Sequence, residues 1–132
     1  MILVDSSVWV DYFNSYKNSE SALLDEFLGQ EIILIGDLIL LEVLQGVRND
    51  AHFETIRKSL ATFRQANLLS TSIALQASQY YRSLRKKGIT IRKTNDCIIA
   101  TWCIVNQIAL LHHDRDFDPF VENFGLKIVK AD

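Results

Sequence analysis

Apolar residues come along this chain in two rhythms, short unbroken runs and stripes at helical spacing, and the two alternate. Residues 2–5 open as Ile-Leu-Val-Asp and read as a short buried strand, with Ser6 or Ser7 placed to cap a helix running to about Phe13. Leu23, Leu24, Phe27 and Leu28 recur at helical spacing before Gly29, which is positioned to end that helix. Ile32-Ile33-Leu34-Ile35 has the β-branched density of a second buried strand, and Gly36-Asp37 marks a turn and the start of a helix over 37–46 that stops at Gly46. Phe53, Ile56, Leu60 and Phe63 give a further helical stripe.

The second half repeats the alternation. A short strand is expected around Leu68-Leu69, and the series Ile73, Ala77, Tyr80, Tyr81, Leu84 predicts a long helix stopped by Gly88. Thr94 or Asn95 caps the next helix, which runs to about Asn106. Ile108 to Leu111 is the next strand, Phe117 to Phe124 a short helix, and Leu126 to Val129 a final edge strand. Strands alternating with helices favour an α/β fold whose mostly parallel sheet is covered on both faces.

Length and composition add limits. At 132 residues, 48% hydrophobic and 23% charged, the chain is expected to be one domain, residues 1–132, without long disordered regions. A formal net charge of -2 means that any nucleic-acid contact must come from a local patch. An acid at position 5 breaks the apolar stretch that an export signal would need, and the apolar region 32–47 is interrupted by Asp37 and Glu42. A soluble, cytoplasmic protein without membrane attachment is therefore expected. Cys97 and Cys103 lie six apart on one predicted helix, point in different directions, and read as reduced thiols.

Four acids stand out. Asp5 and Asp114 each follow a predicted strand, and in a parallel sheet both fall on the carboxyl edge, where open α/β sheets place their ligands. Each alone is equally well explained as a cap of the next helix or turn. Glu42 is the only charge in Leu38-Ile39-Leu40-Leu41-Glu42-Val43-Leu44, a helix that should be largely buried, and a buried carboxylate needs a cation, a hydrogen-bond network or a cleft. Asp96 stands in the first turn of the helix that continues Cys97-Ile98-Ile99-Ala100, where a carboxylate also complements the helix dipole. Four carboxylates in one crevice require compensating positive charge, and an all-oxygen donor set favours Mg²⁺ or Mn²⁺ over zinc. Asp116 serves either as a further site acid or as the N-cap of the next helix. His112 and His113 should alternate to opposite faces, so at most one reaches the site and no histidine ligand is expected.

Basic residues concentrate between 82 and 93. Arg85, Lys86 and Lys87 suit a helix C-terminus, whereas Arg92 and Lys93, just before the acidic helix, are placed to hold a phosphate backbone, joined by Arg115.

Val4-Asp5-Ser6-Ser7, a mid-chain helical Glu42, Thr94-Asn95-Asp96 with Ile98-Ile99-Ala100, and Leu111-His112-His113-Asp114-Arg115-Asp116-Phe117 together resemble a PIN-domain ribonuclease, specifically a VapC-like toxin of a type II toxin-antitoxin pair. The resemblance spans essentially the whole chain. It implies a three-layer α/β/α sandwich and an Mg²⁺-dependent endoribonuclease, with Mn²⁺ as a substitute. It assigns Asp5, Glu42, Asp96 and Asp114 to the metal site with Asp116 as a possible fifth acid. Ser6 or Ser7 matches the hydroxyl residue that supports the first aspartate, and Thr94 is a further supporting residue. Many relatives carry Thr or Ser where His112 stands. Transfer or ribosomal RNA is the implied substrate, a VapB-like antitoxin whose C-terminal segment lies across apolar grooves is the implied partner, and a homodimer is the implied assembly. Trp9, Tyr12, Phe13 and Tyr16 offer aromatic surface for such a dimer, although core packing explains them nearly as well. The competing reading is a non-catalytic PIN-like module that binds RNA or protein. A haloacid-dehalogenase-type phosphohydrolase fits less well, because Ser7 stands where its second aspartate would be.

Overall fold

The computed structural model describes residues 1–130. The chain runs β1 (Ile2–Val4), α1 (Ser6–Phe13), α2 (Ser19–Phe27), β2 (Ile33–Gly36), α3 (Asp37–Gln45), α4 (Asp50–Leu60), β3 (Arg64–Ala66), α5 (Thr71–Lys86), α6 (Thr94–Asn106), β4 (Ala109–Leu111), a single 3₁₀ turn at Arg115–Phe117, and α7 (Asp118–Phe124). The strands lie in the order β3-β2-β1-β4 and every neighbouring pair is parallel. β1 and β2 are buried along their whole length, as befits strands covered by helices on both faces. α1 packs against α2 and α3, and α3 against α4; α5 and α6 form a separate packed pair. This is the expected α/β/α sandwich. Trp9, Phe117 and Phe120 are the largest side chains wholly inside it, and no helix of the described residues is long and apolar enough to cross a membrane.

The strand order positions the site. From β1 the chain builds outward through β2 to β3, then returns to the other side of β1 for β4. The connections after β1 and β4 therefore diverge and leave a crevice beyond their carboxyl ends.

Several local expectations need correction. The third strand is Arg64–Ala66, not the Leu68-Leu69 pair. A short edge strand needs only backbone pairing, so its polar sequence carries no apolar signal. Leu68 is instead a wholly buried plug over the end of β2: a Cβ on Gly36 would lie 2.5 Å from Leu68 Cδ1, and the Leu68 N–H donates to Asp37 Oδ1 at 3.0 Å. Asp5, not a serine, caps α1, and Ser6 and Ser7 lie within the first turn. Lys93 is the N-cap residue of α6, without a side-chain cap bond, so Thr94 and Asn95 are already helical. The segment 126–129 makes one parallel bridge, Leu110 with Ile128, instead of a full edge strand. The last helix begins at Asp118, with Pro119 in its first turn, because the 3₁₀ turn occupies the preceding residues.

α3 is less buried than its apolar sequence suggests. Only Ile39 and Val43 are fully buried, and Leu41 is 55% exposed. Trp9 belongs to the core, stacked on Phe13 with ring centroids 5.7 Å apart, so of the aromatic group only Tyr16 is widely exposed. Both cysteines are free and buried.

Candidate metal centre

The crevice is built from chain ends that the sheet forces together. Asp5 directly follows β1, and its N–H donates to Leu111 O of β4 at 2.9 Å, which locks the two strand ends side by side. Its Oδ2 accepts the Ser7 N–H at 3.1 Å and the Ser7 hydroxyl at 2.6 Å. Ser7 Oγ in turn accepts the His113 N–H at 3.1 Å, so one hydroxyl couples the first aspartate to the loop that carries the fourth. Asp5 Oδ1 is buried and has no partner.

Asp114 caps the 3₁₀ turn through Oδ1, which accepts the Asp116 N–H at 2.9 Å. The capping explanation holds for Asp5 and for Asp114, and it commits only one oxygen of each to the backbone. Asp96 enters from the first turn of α6 and is 3% exposed, while Glu42 enters half-buried from α3. Asp96 Oδ2 and Glu42 Oε1 are also buried without a partner. All four acids line one cavity of about 460 Å³. Carboxylate oxygens of Asp96, Asp114 and Asp116 lie within 4.8 Å of one another.

Buried acids this close resist ionisation together. Burial pushes the Asp96 carboxyl up to about 7, and the charges of Asp5, Asp114 and Glu42 push the same way against Lys93. Burial also raises Glu42, with Asp5 adding to it. Asp5 is raised by burial although the Ser7 bonds pull it down. The Lys93 ammonium is held protonated by Asp96 and Asp114, but one cation does not balance these acids.

This donor set suits a hard divalent ion. Asp5, Glu42, Asp96 and Asp114 offer carboxylate oxygens, and three of these acids carry a buried oxygen without a partner. The softer ligands are elsewhere: Cys97 bonds to Ala77 O inside the helix pair, and the Cys103 thiol is in the core.

The remaining residues singled out from sequence fall in different places. Ser7 supports Asp5, and Ser6 lines the cavity and steadies Glu42. Thr94 lies within the first turn of α6 and lines an apolar groove against α5 beside Ala77 and Cys97. Arg92 and Lys93 are at the site but paired: Arg92 Nη2 lies 3.1 and 3.3 Å from the oxygens of Asp116, and Lys93 Nζ 3.5 Å from Asp114 Oδ2. Arg115 borders the adjoining cleft, together with Glu20 and the two histidines. Strand alternation does not govern those histidines, because β4 ends at Leu111. His112 packs on Phe117 and its Nδ1 accepts the Asp114 N–H at 3.1 Å, and burial keeps its ring neutral to lower pH than usual. His113 sits at the lip, 3.2 Å from Glu20 Oε2.

Lys93 as an internal counter-ion and Glu20 as a partner of the lip were not foreseen. The first was signalled only by a cation three residues before Asp96, the second by nothing in the sequence.

Comparison with known proteins points to one family. The family model described as PIN domain matches residues 2–121. Ribonuclease VapC11 of Mycobacterium tuberculosis is 31% identical over 120 residues, covering 89% of this chain and 90% of that protein. Ribonuclease VapC1 of Methanocaldococcus jannaschii is 28% identical over 127 residues, covering 96% and 85%. Among solved structures, VapBC2 from Rickettsia felis bound to a DNA fragment from their promoter superposes with a TM-score of 0.78 at 19% identity, covering the whole of both chains.

Proposed function

The chain belongs to the PIN-domain family, and from that premise we propose that it is a VapC-type toxin, an endoribonuclease that hydrolyses RNA phosphodiester bonds at a carboxylate-held divalent cation. The observation that carries this reading is the set of three buried, unpartnered carboxylate oxygens on Asp5, Glu42 and Asp96, acids that line one cavity at the sheet's switch point. A purely structural cluster would have satisfied them.

In this reading Asp5, Glu42, Asp96 and Asp114 hold Mg²⁺, with Mn²⁺ as a substitute, and Asp116 is the fifth acid. The ion, when bound, lowers the pKa of water and neutralises charge building on the phosphate in the transition state. Ser7 fixes Asp5 through Oδ2 and leaves Oδ1 uncommitted. Arg92 and Lys93, which pair with Asp116 and Asp114 at the site, would hold the phosphate backbone beside a bound ion, with Arg115 farther out. The substrate is a transfer or ribosomal RNA presented in a single-stranded loop, recognised by shape and flanking contacts. A VapB-like antitoxin is the partner that restrains the enzyme, the working form is a homodimer, and the site of action is the cytoplasm. Sedimentation showing only monomer at micromolar concentration would remove the dimer.

The experiment is cleavage of total bacterial RNA by antitoxin-free protein with Mg²⁺, with Mn²⁺ and with chelator. Discrete cuts that need the metal support the proposal, and their mapped ends identify the substrate. Folded protein that binds metal but leaves RNA intact would overturn it in favour of a binding module.

A further inference from the structure

The acidic cavity has two exits of opposite character. On one side it opens, through His113 and Asp114, into a cleft walled by Glu20 and Asp118 as well as Arg115. On the other it continues, through Val10 and Glu42, into a groove of about 350 Å³ between α1, α3 and the start of α4, within the size range of small-ligand pockets. This groove has an apolar floor that includes Phe13, Val43 and Ile56. Its rim is made of donors: Arg48, Asn14, Asn49 and His52. Asn49 Oδ1 is taken by the His52 N–H at 2.9 Å, so what Asn49 offers a ligand is its amide N–H. Glu42, at the junction with the cavity, is the only acid lining the groove among the described residues.

A strand whose phosphate lies at the carboxylates must leave along one of these walls. The second carries a cation and neutral donors, and its floor suits the flat face of a base. We propose that this groove is the subsite for the nucleotide next to the scissile phosphate, with its base on Phe13 and Val43, its outer phosphate on Arg48, and its base edge read by Asn49 and His52. This inference rests on the nuclease reading and extends it to the placement of the substrate.

The test uses the full chain, with Arg48→Ala and His52→Ala as variants at exposed positions where folding is not at stake. Binding of a fluorescent single-stranded oligoribonucleotide is measured in chelator against salt, and steady-state cleavage of the same sequence in Mg²⁺. Loss of Arg48 should weaken RNA binding and raise KM by about tenfold, lower the slope of log affinity against log salt by about 0.7, and leave kcat within about twofold. Loss of His52 should redistribute cuts among sequence contexts. Photo-crosslinking of 4-thiouridine RNA should label the groove around Phe13 and His52.

Unchanged KM, salt slope and cut pattern, with crosslinks outside the groove, would overturn the subsite while wild-type cleavage keeps the nuclease. Weaker antitoxin binding by Arg48→Ala without any change toward RNA would assign the groove to a peptide and equally overturn the proposal. Wild-type protein that neither binds nor cuts RNA would overturn both.

Discussion

Two βα junctions lie side by side in this sheet, and each carries an aspartate where strand turns into helix. Asp37 follows β2, is exposed, and spends one oxygen on two backbone donors, Leu38 N–H at 2.8 Å and Leu68 N–H at 3.0 Å. Asp5 follows β1, is 3% exposed, and keeps one oxygen buried with nothing to bind. Position at the carboxyl edge is common to both. What separates them is the strand order: β3 and Leu68 close over the end of β2, whereas the chain diverges on either side of β1 and leaves its end open. An acid at a strand end becomes a site only where the topology leaves its hydrogen bonding unfinished.

The contrast breaks most sharply by substitution. Asp5→Asn keeps the size of the side chain and removes the charge, and should cut RNA cleavage by more than ~100-fold, since even outer-shell partners of a metal cost 10–100-fold. Mg²⁺ binding by calorimetry should fall with it, while the metal-free protein melts no lower, because one of several crowded charges is gone. A variant that still binds Mg²⁺ normally would remove Asp5 from the ligand set. Ser7→Ala comes next, with a loss of cleavage of roughly 10–100-fold, because Ser7 holds Asp5 Oδ2 and receives the His113 N–H. Equal cleavage by Ser7→Ala and wild type would show that the hydroxyl only caps the helix.

At the other junction the losses should be of stability alone. Gly36→Ala must displace the wholly buried Leu68 and should cost ~1–3 kcal/mol. Asp37→Ala orphans the Leu68 N–H and should cost ~1–2 kcal/mol, with Mg²⁺ affinity unchanged. Denaturant melts with and without Mg²⁺ separate the cases, and a metal-binding defect in Asp37→Ala would erase the distinction between the two junctions.

Much of this architecture is legible in the sequence because buried parallel strands leave dense apolar runs, as in Ile2-Leu3-Val4 and Ile33-Leu34-Ile35. β3 is not legible, since an edge strand made of Arg64, Gln65 and Ala66 contributes hydrogen bonds and no periodicity. Asp5, Glu42, Asp96 and Asp114 are legible as acids in costly positions, and the fold brings these four to one cavity. Glu42 is informative not through full burial of its helix, since α3 is half-exposed, but because Oε1 is orphaned near the Asp5 charge. Thr94 misled because the sequence Thr-Asn-Asp looks like a cap, while the chain enters α6 one residue earlier, at Lys93. The pairing of Arg92 with Asp116 and of Lys93 with Asp114 joins residues more than 20 positions apart, which no local pattern encodes.

The pH dependence is the most diagnostic of the crowding itself. Asp96 is raised from its ordinary 3.8 to about 7, so across that window the folded protein binds more protons than the unfolded chain. Stability therefore falls as pH rises through the window, being undiminished below the lower value and fully reduced above the upper one. Asp5 and Glu42, raised likewise, act with the same sign. His112, lowered from 6.5, acts oppositely as pH climbs toward that value and offsets part of the fall. Metal binding requires the deprotonated acids, so the rise in melting temperature produced by Mg²⁺ should grow over the same interval. Melting curves in chelator and in Mg²⁺, between about pH 4 and 8, should thus diverge with pH for wild type and for Asp37→Ala, and diverge least for Asp96→Asn. Parallel curves for wild type would mean that the four carboxylates share the cavity without competing for a proton, and the electrostatic case for a cation at β1, with none at β2, would fall with them.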